Sequence, residues 1–510
     1  MLEYDRIRRG IFLNSGTMAA CRGVSAVFSL LLVPIVISKL GLTGFGTWEI
    51  LFSVAILTSM FQAATSNTML WQISNAYGLQ DETRVRRLLQ IGISITLVQF
   101  IVFVPAVWVL RHHLVACFHV THDMLGAAAL MLPLLCGMMI LNGINECIGA
   151  VISGYQHTGL VTLVQSIAQV ANYCVSVCCL MSGLGLLSML IGYSANYVVA
   201  CIMYLLVARR HCPRLRLLPT VPSRSEVAEL YGYFSLVMIG SISGVLRDEK
   251  DKLVLTSFFS PLWTGYYSIS LRLISCISLM STFFYVPVMA AVGALNSRGD
   301  WDSIRRIYSN AISIIAVFVG LTAVVIAGLH ERILLVWIGK DIPEVGTILL
   351  WLVFGNITAI LLTGPGTALC RGIGRMGMEA GYWVIGIIIN TLLTIVLIKA
   401  SGAIGSVAAS ALSWAISSMF FLWFMHNNID LPWTISFRSV KVLAIVFVTI
   451  GLVHFLSANW PVSSNHSYAV CSTALLAMIA VVCYVGLLMA TRTVPSSIRP
   501  ILSLLNRQAK

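Results

Sequence analysis

The sequence predicts an all-α polytopic membrane protein of about fourteen transmembrane helices: two six-helix bundles related by a pseudo-two-fold axis along the membrane normal, plus two C-terminal helices. Three observations predict it. Of 510 residues, 58% are hydrophobic and only 10% charged, and the mean hydropathy is +0.91, which is more apolar surface than a soluble fold of this length can bury. Apolar stretches near or above the roughly 20 residues that a helix needs to cross a bilayer recur along nearly the whole chain. The two halves of the chain also match each other at an offset of about 220 residues, the mark of an internal repeat.

Taken in order, the spans of the first bundle are 11–39, 45–71, 88–110, 124–150, 160–182 and 185–208, within a unit 1–208. A basic linker, 209–229, follows. The second bundle, 230–425, holds spans 230–258, 263–292, 307–329, 345–370, 377–398 and 402–425. The remaining segment, 426–510, contributes spans 440–457 and 468–491 and a cytoplasmic tail. The repeat is anchored at several places. TGFGTWEILFSV (43–54) lies over TGYYSISLRLIS (264–275), Arg86-Arg87-Leu88 over Arg305-Arg306-Ile307, Asn172 over Asn390, and Ser182-Gly183 over Ser401-Gly402. An even number of spans per copy means that both copies enter from the same side.

The net charge of +13 does not point to nucleic acid, because the cations follow topology. With the N-terminus inside, 22 Lys and Arg fall in cytoplasmic segments and five, Lys39, Arg111, Arg332, Lys340 and Lys399, in outer ones, as the positive-inside rule requires. Both termini are therefore expected in the cytoplasm. The thirteen cysteines are scattered without paired spacing and read as small packing residues.

GVLRDEKDKLVL (244–255) is the anomaly, six charges in an unbroken run. If that run were a wet turn, residues 253–295 would form one span about twice the necessary length. The repeat instead sets the turn at Ser260 to Gly265, opposite Leu40 to Gly44, with Pro261 and Gly265 as turn residues. The run is thus expected inside span seven, in its outer half. Six consecutive residues at 100° each reach every face of a helix, so pairing is needed: Asp248 with Lys252 and Arg247 with Asp251 at i,i+4, and Glu249 with Lys252 at i,i+3. Arg22 in span one and Arg272 in span eight have no acid at helical spacing. Five cations, Arg22, Arg247, Lys250, Lys252 and Arg272, stand against Asp248, Glu249 and Asp251. An arginine fork suits a phosphate, although mutually compensating charges also serve simply to lock helices together.

Gln62, Asn67, Asn142, Asn145, Glu146, Gln165, Gln169, Asn172, Asn310, Asn356 and Asn390 also lie within spans. Each alone reads as interhelical glue, and their number fits a wetted cavity for sugar hydroxyls. Gly364, Pro365 and Gly366 are expected to break span ten as a hinge. The outer loop 111–123 gathers His112, His113, Cys117, His119, His122 and Asp123, but their spacing matches no zinc motif, and interfacial histidine is the expectation. No metal centre, cofactor or catalytic residue is expected, since no P-loop, dinucleotide fingerprint or Ser-x-x-Lys arrangement is present.

Four stretches occur in a telling order: NSGTMAACRGVSAVFSLLLVPIVISKLGLTGFGTWEI, then DKLVLTSFFSPLWTGYYSISLRLIS, then LLVWIGKDIP, then GIGRMG with GAIGSVAASALS. Over about residues 8–425 the chain resembles the polysaccharide-flippase (Wzx-type) branch of the multidrug/oligosaccharidyl-lipid/polysaccharide exporter superfamily. The resemblance implies a flippase of the bacterial inner membrane, not an enzyme, that moves an undecaprenyl-pyrophosphate-linked oligosaccharide to the outer leaflet for O-antigen, exopolysaccharide or capsule. It implies a proton or sodium gradient as driving force, and a polysaccharide polymerase and a chain-length regulator as partners. It further implies that Arg22, Arg247, Lys250, Lys252 and Arg272, which lie in the corresponding spans, hold the pyrophosphate, and that Asp248, Glu249 and Asp251 couple the ion. One rival is a drug or metabolite cation antiporter of the same fold, which needs an unpaired acid in the cavity, where span one offers Arg22 and no carboxylate. Another is a membrane glycan polymerase or ligase, for which the outer loops are too short to form a catalytic domain.

Overall fold

The computed structural model describes residues 2–155, 157–211, 218–296, 299–429, 431, 433–460 and 466–491. Within them lie thirteen helices and no strand: α1 Leu2–Gly78, α2 Glu82–Cys117, α3 His122–Gly154, α4 Thr158–Met181, α5 Leu187–His211, α6 Arg224–Phe258, α7 Pro261–Asn296, α8 Trp301–Gly328, α9 His330–Ile338, α10 Pro343–Gly372, α11 Met376–Asn428, α12 Trp433–Ala458 and α13 His466–Ala490. Two of these are helix pairs run together. α1 turns at Gly41 (φ 71°), and α11 turns at Ser401 and Gly402 (φ 61°), a left-handed conformation that a residue without Cβ adopts freely. Counting each as two, and setting aside the nine-residue α9, gives the fourteen long helices that the hydropathy predicts.

The repeat reappears in local chemistry. α2 and α8 both open on an aspartate whose carboxylate accepts a backbone N–H three residues on, Asp81 from Arg84 and Asp300 from Ser303, a standard N-cap. α4 stops at Ser182, followed by Gly183 at positive φ, just as α11 turns at Ser401-Gly402. Asn172 and Asn390 are both buried. Asn390 Nδ2 donates to Ser410 Oγ at 2.7 Å and to Ser413 Oγ at 3.2 Å, and Ser176 Oγ donates to Asn172 Oδ1 at 3.1 Å.

Two expectations need correction. α10 passes through Gly364-Pro365-Gly366 without a break. Thr367 Oγ1 donates to the Gly364 carbonyl at 2.9 Å, and Gly366 leaves room for Phe421 and Met425, which a Cβ there would meet at 2.9 Å. The glycine therefore serves close helix packing. The outer loop 111–123 is also mostly helical: α2 continues to Cys117 and α3 starts at His122, so only Phe118 to Thr121 link them.

The chain divides into two compact units, 1–265 and 266–510. In the first, an apolar core joins the end of α1 (Met69, Ile73), the start of α2 (Leu88, Leu89), the end of α3 (Ile148, Ile152), and α4 and α5 (Val164, Tyr204). In the second, the core is built from α8 (Ile304, Tyr308, Ile312), α10 (Leu362, Leu369) and α11 (Tyr382, Phe421, Met425). Tyr484 of α13 donates its Oη to the Ala316 carbonyl of α8 at 2.7 Å. Large apolar side chains stand exposed in rows, Val98, Ile101, Val102 and Val109 on α2 and Leu392, Ile395 and Val396 on α11. Such faces are stable against hydrocarbon and not against water. Ten helices among the described residues are long and apolar enough to cross a membrane.

Candidate functional site

The charged run lies inside α6, which continues to Phe258 before the two-residue turn Phe259-Ser260. It is not a wet loop, and the turn falls at the start of the expected window. α6 packs on α1, and that contact solves the problem of holding charges away from water. Lys252 Nζ lies 3.1 Å from Glu249 Oε2, one turn away on α6, and 3.2 Å from Glu49 Oε2 on the second arm of α1. Ser53, one turn beyond Glu49, donates its hydroxyl to Glu249 Oε2 at 2.6 Å. Glu49 is 2% exposed, Lys252 6% and Glu249 8%. An ammonium between two carboxylates, with a hydroxyl on one of them, satisfies each ion where water cannot.

Asp251 is 1% exposed and faces Lys250 Nζ at 3.7 Å. Arg247 is half-buried. The side chain of Asp248 lies outside the described ones. Of the expected pairs, Glu249 with Lys252 is formed directly. Arg22 is exposed on the first arm of α1, and Arg272 is half-buried on α7. Arg22 and the run belong to the first unit, Arg272 to the second.

Glu49 is the functional candidate that the sequence reading passed over, although it stands in the quoted TGFGTWEI. A lone acid in a stretch of bilayer-spanning length was the available signal. Its partner on another helix was not legible. Counting Glu49 with the run it pairs to lowers the excess of cations from two to one.

Gly46, on the same arm of α1, lets that helix touch the chain just beyond α6, since a Cβ there would collide with the Pro261 carbonyl. At the far end of α6, Ser223 and Glu226 form a capping box, and the same Glu226 receives Arg87 of α2 through Nε at 2.7 Å and Nη2 at 3.1 Å. Arg87 Nη1 also donates to Thr220 Oγ1 at 2.5 Å. The Arg87 guanidinium holds the Glu226 carboxyl down at about 2. Two of the other in-span amides bind helices together: Gln62 Nε2 donates to Ile140 O at 2.8 Å, and Asn145 Nδ2 to Tyr197 O at 3.1 Å.

Comparison with known proteins agrees with this architecture. Residues 22–178 match the MatE family, and residues 114–345 match the family described as polysaccharide biosynthesis protein. The inward closed conformation of the lipid II flippase MurJ superposes with a TM-score of 0.72 at 13% identity, over 93% of this chain and 99% of that one. An inward-facing multidrug resistance MATE family transporter of the MOP superfamily does so with 0.65 at 13%, over 80% and 94%. The chain is thus similar, in parts of its sequence and in its fold, to proteins of the multidrug/oligosaccharidyl-lipid/polysaccharide exporter superfamily. Among curated relatives, the probable low-salt glycan biosynthesis flippase Agl15 of Haloferax volcanii is 21% identical over 47% of this chain and 51% of its own length. The probable flippase AglR of the same organism is 22% identical over 39% and 42%. The chain thus spans about half the length of the curated relatives it matches. The ten helices of membrane-spanning length and composition among the described residues agree with a multi-pass membrane protein.

Proposed function

We propose that this protein is a flippase that carries an undecaprenyl-pyrophosphate-linked oligosaccharide from the inner to the outer leaflet of a bacterial inner membrane, by ion-coupled alternating access, for surface polysaccharide synthesis. The observation that carries the reading is Lys252, buried in an otherwise apolar helix between Glu49 and Glu249, with Arg247 and Lys250 on the same helix. Insertion of each such ion costs about 2.5–3.5 kcal/mol at a helix centre, and an anionic headgroup is the natural counter-ion for the remaining positive charge. Arg22, Arg247, Lys250 and Arg272 are the phosphate contacts in this proposal. Lys252, held by two carboxylates, sets their potential and orients α6. Asp248, Glu249 and Asp251, with Glu49, are the acids through which a proton or sodium ion is coupled. The match to the polysaccharide biosynthesis family and the flippase relatives support the substrate class, and a lipid-linked glycan also accounts for the MurJ-like fold.

The test is genetic and chemical. Arg22→Ala and Arg272→Ala should each block surface-glycan export and cause lipid-linked oligosaccharide to accumulate on the cytoplasmic side, with protein levels and membrane insertion unchanged. Full complementation of a null strain by both variants would remove the phosphate role. The MatE match over 22–178 favours a second reading, a drug or metabolite cation antiporter. That reading requires efflux of a cationic dye to depend on Glu49 or Glu249, with lipid-linked glycan unaffected.

A further inference from the structure

Two histidines and a glutamate, scattered in the sequence, meet at one end of the second unit. His330 and Glu331 open α9, and His454 lies one turn before the end of α12, both on the side that the Lys and Arg count assigns to the outside. One ligand atom from each lies within 4.8 Å of the others. His330 is 5% exposed, and its Nδ1 stands 2.7 Å from the Ala327 carbonyl. A carbonyl only accepts, so Nδ1 bears the proton and Nε2 keeps its lone pair. A backbone carbonyl fixes the tautomer of metal-bound imidazoles in the same way. Nε2 lies 3.9 Å from Glu331 Oε1, and the His454 ring stacks on His330 with 5.2 Å between centroids. Gly346 of α10 keeps the Nε2 edge clear, since a Cβ there would stand 3.2 Å from it.

The frame around these groups is stiff. Arg332, the next residue on α9, donates from Nε to Ser457 Oγ at 2.9 Å and from Nη2 to the Ser457 carbonyl at 2.8 Å, and also reaches the Trp460 carbonyl. The first turn of α9 is thereby bolted to the end of α12, which fixes His330 against His454 independently of any ion.

We propose that His330, Glu331 and His454 form a binding site for a divalent transition cation of the zinc class. The ligands are His330 Nε2, one ring nitrogen of His454 and a carboxylate oxygen of Glu331, with a water in the fourth position. Two neutral imidazoles and one carboxylate are a zinc donor set. Bonds of about 2.0–2.2 Å in a tetrahedron put ligand atoms roughly 3.4 Å apart, so closure needs a contraction of about an ångström. Glu331, 60% exposed at its side chain, can close its 3.9 Å gap to His330 by rotation, and a turn of the His454 ring supplies the rest. The bound ion would tie α9 to α12 a second time, beside Arg332.

The experiment uses the purified full-length protein in detergent, equilibrated with zinc buffered by a competing chelator. Bound metal is counted by mass spectrometry in the wild type, His454→Asn and Glu331→Gln, and the thermal midpoint of each is read with and without zinc. Glu331→Gln changes one exposed side chain, so its fold is checked by an unchanged midpoint without metal. The wild type should retain one equivalent more than His454→Asn, and zinc should raise the midpoint of the wild type alone. Glu331→Gln should bind more weakly by over about a hundredfold, more than the loss of an outer partner costs. Equal zinc content and equal midpoints in all three proteins would overturn the site and assign any bound metal to His112, His113, His119 and His122 or to cysteine thiols.

Discussion

Removing Lys252 is the sharpest perturbation of the buried network. Lys252→Met keeps most of the length of the side chain and deletes the charge, leaving Glu49 and Glu249 close together with no ammonium between them, while Ser53 still donates to Glu249. The two contacts at 3.2 and 3.1 Å are each worth roughly 5 kcal/mol of gross attraction at an effective dielectric of about 20. Desolvation of three ions offsets most of that, and breaking such a buried set by deleting one partner costs about 3–5 kcal/mol. For a unit of this size that corresponds to a fall in the thermal midpoint of roughly 6–20 °C. The assay is intrinsic-fluorescence unfolding in detergent, run also on Glu49→Gln/Glu249→Gln/Lys252→Met, in which no ion is left. The triple variant should recover most of the loss, because a neutral, hydrogen-bonded replacement of a buried ionic set is close to neutral. If Lys252→Met melts within about 1 °C of the wild type, less than one kcal/mol is at stake and the network does not hold α6 to α1.

Two further outcomes follow from the same helices. Gly46→Ala should destabilise by about 1–3 kcal/mol through overpacking on the Pro261 carbonyl, whereas Gly244→Ala, with open space around it, should be neutral or slightly stabilising by propensity; thermal midpoints of the two variants measure the difference. Glu226→Gln should loosen the segment before α6 and speed tryptic cleavage at Arg224. Because the carboxyl is held down at about 2 against an ordinary 4.5, its contribution is complete above about pH 4.5 and is lost as pH falls through 2, so a reporter label at Val221 should stay immobile from pH 8 to 5 and loosen only in stronger acid.

What was legible in the sequence follows a physical line. Hydropathy finds helices because each must match the bilayer alone, and the breaks at Gly41 and Ser401-Gly402 were legible because polar or small residues interrupt apolar runs there. The charged run was legible as helix rather than loop because span length left no room for a turn there. Local spacing gave the Glu249–Lys252 pair. It did not give Glu49, whose partner lies some two hundred residues away on another helix, or the meeting of His330 with His454. Gly364-Pro365-Gly366 misled for the opposite reason: a proline suggests a break locally, while Thr367, Phe421 and Met425 stabilise a continuous helix from outside the motif.

Glu226 both caps α6 and grips Arg87, and Lys252 grips α1 near the other end, so α6 is a strut pinned top and bottom to the first unit. A nick in the peptide between residues 211 and 218 would therefore not set α6 adrift. Two separately expressed fragments divided there have the fastenings to find each other, which makes that basic stretch a place to splice in a reporter domain without cutting the fold in two.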